Sequence, residues 1–423
     1  LDAESIVQIQ GQLIASASLR VLSVVIALSL PALALGDLPQ DAGKRRRPFH
    51  QWLVGHLSEL TDEGMASMTG DANSAGRVIA SWILHEAGDD SERSGGLIGA
   101  PAVFYTPETS ALFGFGGMYY LPTVGARGRV TQLTAAAAYT LKGQILFDFK
   151  PNAFWDYGRY HMYGEYRYSY FPDSFYGVGN STRRADEERM VLNMLRGRTY
   201  LERRVAPSLY LGMSYEIEQY NVLEVTPGGI LDTQPVQGKE AATVSALGVI
   251  ATYDSRDQTL TPTSGVFLYG SMALSTPELG GTERFGRFVV DARQFVSLWR
   301  GHVLAWQVVL KFIHGQPPFE AMSDMGGGRL GRGYFGGRFR DRHLLFGQVE
   351  YRAHVWWRVG VAAFGGAGQV AHALADIEAG QWRVFGGGGL RFLIDEDAGA
   401  SLRFDVGFGA DSFGVYFDAG EAF

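Results

Sequence analysis

From about Ile98 onward, apolar and polar residues alternate with a period of two, the repeat of an extended strand whose side chains point to opposite faces. Between Tyr160 and Tyr170, residues Tyr160, Met162, Tyr166, Tyr168 and Tyr170 fall on one side; His161, Glu165, Arg167 and Ser169 fall on the other. Phe288, Val290, Ala292, Val296 and Leu298 oppose Arg287, Asp291, Arg293 and Ser297. Leu402, Phe404, Val406 and Phe408 oppose Ser401, Arg403, Asp405 and Gly407. About 16 such segments follow one another, near the middle of the range for bacterial barrels. A soluble sandwich would bury the apolar face as its core. Here the second face carries paired charges and glycines in strand after strand. An all-β fold, a 16-stranded antiparallel transmembrane β-barrel with a lipid-facing exterior and a polar lumen, accounts for both faces. An even strand number puts both chain ends on one side. Counting from there, the long connections Pro172 to Glu188, Asn221 to Lys239 and Gly315 to Asp341 all fall on the opposite, outer side.

The first quarter has a different pattern. Arg20 precedes an apolar run from Val21 to Leu35 that contains Ala32-Leu33-Ala34, an A-x-A-type cleavage site. The run is short beside the roughly 20 residues of a membrane-spanning helix, so residues 1–34 read as a signal-peptide-like segment. Residues 35–97 read as a periplasmic linker. In it, Lys44-Arg45-Arg46-Arg47 is either a solvated basic stretch or a contact for anionic headgroups. Phe49, Trp52, Leu53, His56, Leu57 and Leu60 share one helical face, so the short helical segment is amphipathic. It would plug the barrel, lie on the membrane or pack against the barrel end. Residues 98–423 are the barrel.

Composition narrows the chemistry. Hydrophobic residues make up 46% of 423, with 56 glycines and 13% aromatics, yet mean hydropathy is only -0.03; apolar residues are interleaved with polar ones. The absence of cysteine excludes a disulfide scaffold and thiolate metal sites. A net charge of -7 gives no support to nucleic-acid binding. The nine histidines show no metal-ligand spacing, and His85-Glu86 lacks a second His at helical distance. Gly326-x-Gly328-x-x-Gly331 fits a dinucleotide fingerprint as text but lacks the strand and helix that give it meaning. Nothing singles out Ser271 or Ser297 with His302 or His314 as a phospholipase pair. The chain is expected to be no enzyme and to carry no cofactor or metal.

Three stretches are more specific. Tyr253-Asp254-Ser255-Arg256-Asp257 is followed by Pro262 and Gly265. The Gly- and Arg-rich segment between Gly315 and Asp341 contains Arg332-Gly333-Tyr334; loops this long inside a strand array tend to be functional. The C-terminal stretch counts back in twos from Phe423 to Phe417, Val415 and Phe413. In this order, across roughly Ile98 to Phe423, they resemble the Omp85 superfamily, the BamA/TamA-like bacterial surface antigen (D15) barrels, as a member without POTRA modules. The Tyr105-Thr106-Pro107-Glu108-Thr109 stretch is similar to the first hairpin of such members. The resemblance implies that Asp254, Arg256, Asp257, Pro262 and Gly265 form the D-x-R-D…P-x-x-G turn, and that Phe417 and Phe423 belong to the C-terminal signature. It implies that Arg332, Gly333 and Tyr334 lie in an inward-folded sixth outer loop, with Glu350 on the twelfth strand as partner of Arg332. Gly366 stands where a second acid is usual on the next strand, so Arg332 is expected to keep one carboxylate and lose another. The resemblance further implies a Gram-negative outer membrane and a seam between first and last strands through which proteins are inserted or translocated. Outer-membrane lipid, client proteins or a periplasmic partner would be its contacts. The missing POTRA region leaves a passive channel or structural barrel as an alternative; the seam and basic helix leave a lipid-moving protein as another.

Overall fold

The period-two sequence becomes a run of antiparallel hairpins. The structure, a computed structural model, describes residues 96–106, 110–123, 129–141, 143–395 and 399–423. The signal-like run, the basic Lys44–Arg47 stretch, the Phe49–Leu60 helical face and Pro107–Thr109 lie outside the described residues. The strands are β1 (Gly96–Thr106), β2 (Ser110–Pro122), β3 (Val130–Thr140), β4 (Ile145–Trp155), β5 (Tyr160–Phe175), β6 (Glu188–Ala206), β7 (Leu209–Val225), β8 (Ala241–Asp254) and β9 (Gly265–Ser275). They continue with β10 (Phe285–Trp299), β11 (His302–Gly315), β12 (Ser323–Met325), β13 (Phe339–Asp341), β14 (His343–Trp356), β15 (Val359–Ala371), β16 (Arg383–Asp395), β17 (Ala400–Phe408) and β18 (Phe413–Ala419). Sixteen form one antiparallel sheet in chain order; β12 and β13 pair with each other inside the connection from β11 to β14. β14 is therefore the twelfth strand of the sheet.

The two faces of the sheet are inverted relative to a water-soluble protein. On β7, Leu211, Met213, Tyr215 and Ile217 point outward, 39–56% exposed, while Tyr210, Glu216, Glu218 and Tyr220 point inward and are buried. The inward acids are paired across strands: Glu218 accepts from Arg196 at 2.5 Å and Arg198 at 3.3 Å, Glu216 pairs with Arg287, and Arg167 donates to Asp148 at 2.7 Å. An exposed belt of this apolarity is stable only against hydrocarbon, and the sheet satisfies its backbone groups between strands.

Connections differ by end. At one end, residues 207–208, 300–301 and 357–358 turn the chain in two residues, with Ser208, Gly301 and Trp357 at positive φ. At the other end run the long connections 176–187, 226–240 and 316–342. One turn at the short-turn end is longer and folds inward. In it the Asp257 carboxylate accepts from the backbone N–H groups of Gln258 (3.0 Å), Thr263 (3.0 Å) and Ser264 (3.1 Å), and Gly265 takes φ +106°, closed to side chains. Asp254 accepts from Arg256 and, across the sheet, from Arg129 at 2.7 Å beside the start of β3. Thr261 donates to the Gly399 carbonyl (3.0 Å), and Leu260 packs with Met118, Val130 and Ala400. One turn thus touches β2, β3 and the β16–β17 connection, which requires the sheet to curl around it. Between β1 and β18 no ladder forms among the described residues.

Asp254→Ala leaves Arg129 and Arg256 buried without their carboxylate. The expected loss is about 3–5 kcal/mol, the range for breaking a buried ion pair. It would be read as a lower denaturant midpoint for the detergent-solubilised barrel; an unchanged midpoint would show that Asp254 does not hold the curl.

Candidate functional site in the inward loop

The connection between β11 and β14 folds into the interior. A single turn at Phe319–Ala321 and the β12–β13 hairpin bring its tip, residues 326–334, down the inner wall. Met325, Tyr334 and Phe339 join Leu344, Phe346, Phe364, Val370 and Phe385 in one buried cluster, so the loop is part of the core. Near its base Arg340 donates to Glu320 at 2.5 Å, and Asp341 lies 3.5 Å from His372. Burial holds the Asp341 carboxyl above its ordinary range, although the Arg342 N–H and His372 pull the other way.

Arg332 is fully buried. One guanidinium nitrogen, Nη1, lies 2.7 Å from Glu350 Oε2 and 2.7 Å from Asp405 Oδ2, donating a hydrogen bond to Asp405. The guanidinium stacks on the Phe364 ring with 3.5 Å from Cζ to the centroid, so its face is covered as well as its edge. Its Nε has no acceptor among the described residues. Two carboxylates on one nitrogen would repel each other in a dry interior, but further cations bind both of them. Glu350 Oε1 accepts from Arg352 (2.7 Å) and Arg391 (3.3 Å); Asp405 accepts from Arg391 (2.6 Å) and Arg403 (2.8 Å). Glu421 takes Arg391 Nε (2.7 Å), and Asp418 lies 3.2 Å from Arg403. Arginines 332, 352, 391 and 403 thus face acids 350, 405, 418 and 421, and the cluster is neutral.

The expectation that Arg332 lacks a second carboxylate does not hold: β17 supplies it. The reason is steric. A β-carbon at Gly366 would meet Phe385 Cζ at 2.7 Å and Gln348 Cβ at 2.8 Å, so β15 has no room for an acid there. Two residues earlier on β15 the Phe364 ring occupies the guanidinium face. The charge has moved two strands along, to Asp405.

The rest of the motif grips the last hairpin. Gly333 N–H donates to the Tyr416 hydroxyl (2.9 Å), which donates to the Tyr334 carbonyl (3.3 Å); Ser412 Oγ donates to the Gly333 carbonyl (2.7 Å). Tyr334 donates to the Val384 carbonyl on β16 (2.8 Å) and accepts from Ala410 N–H (3.1 Å). Glycines permit the approach. Gly333 sits at φ +120° with the Gly409 nitrogen 2.6 Å from any β-carbon, and one at Gly407 would lie 2.6 Å from the Arg332 carbonyl.

The interior links the loop to the turn motif. Glu350 holds Arg352, whose other nitrogens reach the Pro262 carbonyl (3.5 Å) and the Phe423 carbonyl (3.1 Å). Arg256 and Asp257 lie in the turn itself, between Asp254 at the end of β8 and Gly265 at the start of β9. The strand reading of the C-terminus ends early: β18 stops at Ala419, Gly420 takes φ +80°, and Phe423 turns into the interior against Phe295, beneath Arg352. The Phe417 side chain lies outside what the structure describes, and its backbone pairs with Phe404. Sequence reasoning did not assign Asp405, Arg352, Arg391, Arg403 or Tyr416 to the site. The charges on alternate positions of β17 were the available signal for two of them.

Arg332→Ala leaves two buried carboxylates short of a cation and is expected to cost about 3–5 kcal/mol, with new protease sensitivity in residues 326–334. Arg332→Lys is expected to recover little, because a single ammonium cannot both bridge the acids and stack on Phe364. Tyr416→Phe removes the hydroxyl that Gly333 needs, at about 1–3 kcal/mol. Wild-type protease resistance in all three variants would show that the loop is held elsewhere.

The Omp85 superfamily domain model matches residues 147–423. No curated protein sequence matches the chain. Among solved structures, the chain is similar to BamA from Haemophilus ducreyi lacking POTRA domains 1–3, at 12% identity and TM-score 0.49, over 78% of this chain and 70% of that one. It is similar to CdiB from Escherichia coli at 11% identity and TM-score 0.49, over 79% and 63% of the respective chains. It is also similar to CdiB from Acinetobacter baumannii at 11% identity and TM-score 0.46, over 77% and 59%; the chain spans less than two thirds of either CdiB. A domain match over more than half its length, on a 16-stranded sheet with an inward loop, places this chain in the Omp85 superfamily of outer-membrane β-barrels.

Proposed function

We propose that this barrel inserts or translocates proteins at the outer membrane through a seam between β1 and β18, with Arg332, Gly333, Tyr334 and Glu350 positioning the inward loop and no catalytic chemistry of its own. The observation that carries the reading is the grip of the loop on the last hairpin. β18 is seven residues long against 19 for β6, forms no ladder with β1 among the described residues, and holds the loop tip through Tyr416. A short edge strand with unpaired backbone groups is a template on which another strand can add. Its movement would be felt at the loop, and loop movement at the seam. BamA and CdiB, to which the chain is similar, lend the family setting. Clients, membrane lipid and a periplasmic partner complete the proposal, with residues 1–34 as secretory signal, 35–97 as linker and 98–423 as barrel.

A passive channel is the second reading, favoured by the cavity of about 1120 Å³ beside the loop, lined in part by Arg167, Arg198, Arg287 and Arg329.

The chain has no cysteine, so one cysteine placed in each of β1 and β18 gives a clean reversible lock. The lock is expected to raise envelope permeability to large antibiotics, with recovery on reduction; unaffected permeability would sink the seam reading. In planar bilayers, low and flickering conductance that rises in Arg332→Ala is expected of a loop-filled lumen, and a large steady wild-type pore of a passive channel.

A further inference from the structure

The outward face between β7 and β11 is not evenly filled. Met213, Val249, Met272, Phe288 and Phe312 are successive cross-strand partners and form one apolar row. His343 on β14 ends it, 5.8 Å from the Phe312 ring. In the neighbouring row, nearer the long loops, Leu247 pairs with Leu274, Leu274 with Gly286, and Gly286 with His314. Gly286 interrupts this row. A β-carbon there would meet only the Ala273 carbonyl oxygen, 3.9 Å away. The result is a groove of about 910 Å³ in the lipid-facing wall, between Leu274, Phe288, Phe312 and His314.

The loop end of the groove is polar. His314, Arg342, His343 and His372 border it, three of the six histidines among the described residues. Asp341 is turned to His372 at 3.5 Å. The Arg342 main chain is hydrogen-bonded, but its guanidinium makes no hydrogen bond or ion pair among the described residues. A cation at the level where strands give way to loops, above an apolar slot, matches a lipid in both parts. The slot takes a hydrocarbon chain, and the guanidinium and imidazoles take a phosphate. We propose that this groove is a binding site for a membrane lipid with an anionic phosphate head, one acyl chain lying over Gly286 and the phosphate against Arg342. The site is independent of the seam; it requires only that this wall face lipid.

Native mass spectrometry of the full chain tests the site, with dioleoylphosphatidic acid and dioleoylphosphatidylcholine as probes of equal chain length. Wild type is expected to retain one phosphatidic acid about fivefold better than phosphatidylcholine, the factor one cationic side chain contributes near a charged lipid surface. Arg342→Gln is expected to abolish the preference while weak retention of both lipids persists. Gly286→Phe, filling open space on the lipid side, is expected to lower retention of both. Equal retention of the two lipids by wild type, or unchanged behaviour of Arg342→Gln, overturns the proposal; Arg342 lies outside the sheet ladders, so this arm survives any folding defect of Gly286→Phe. Displacement of phosphatidic acid by inorganic phosphate alone would make the groove a simple anion site and overturn the lipid assignment.

Discussion

The interior depends on one guanidinium. Arg332 comes from a loop and places a single nitrogen between Glu350 on β14 and Asp405 on β17. These acids are three strands apart in the sheet, so they converge only when the sheet curls. Opposite charges about 4 Å apart attract by roughly 4 kcal/mol at the effective dielectric of such a site, and like charges repel equally. Removing any one arginine therefore unbalances acids that the other three cannot neutralise. Loop position, sheet curvature and the placement of four arginines form one constraint. Such a cluster adds little net stability over an apolar core; its effect is specificity, because only one docking of the loop satisfies it.

Glycine decides where that constraint can be met. Gly366 is small because Phe385 and Gln348 occupy the space where an acid would project, and Gly407 and Gly409 are small because the loop backbone and the Tyr334 ring lie against them. The acid is on β17 for the same reason that the loop rests on β17: the loop crosses the wall where side chains are absent and meets charge just beyond. This shifts the loop toward the last hairpin and brings Tyr416 within reach of Gly333 and Tyr334. The contact between loop and last strand is thus a consequence of packing around three glycines and a phenylalanine.

Much of the fold was legible in sequence because a membrane barrel writes its two solvents onto alternate residues. Tyr160 to Tyr170, Phe288 to Leu298 and Leu402 to Phe408 each carry the pattern, and each is a strand. The Arg332–Glu350 partnership was legible only through family resemblance, since 18 residues of separation carry no periodic signal. Asp405 was not legible, because which of several inward charges meet depends on the tilt and curl of strands far apart in sequence. Gly366 pointed the wrong way: it marked a missing acid but could not show that a neighbouring strand supplies one. Phe423 misled for a different reason. Period-two counting assumes unbroken extended backbone, and Gly420 at φ +80° breaks it three residues before Phe423.

The wall that carries the outward groove and the wall that carries β17 and β18 differ in strand length and in their inward ties. β6 and β7 run 19 and 17 residues and are cross-tied inside by Arg196, Arg198, Glu216 and Glu218. β17 and β18 run nine and seven, and Arg403, Asp405 and Tyr416 on them are tied to the loop. Strands 8 to 11 lie about halfway along the sheet from both of its ends. A lipid held over Gly286 therefore anchors the stiff wall and leaves the short hairpin free of it. Under the proposed seam opening, this arrangement separates two demands of the membrane: a fixed hold on one side, and on the other a short strand that would give up few hydrogen bonds in moving.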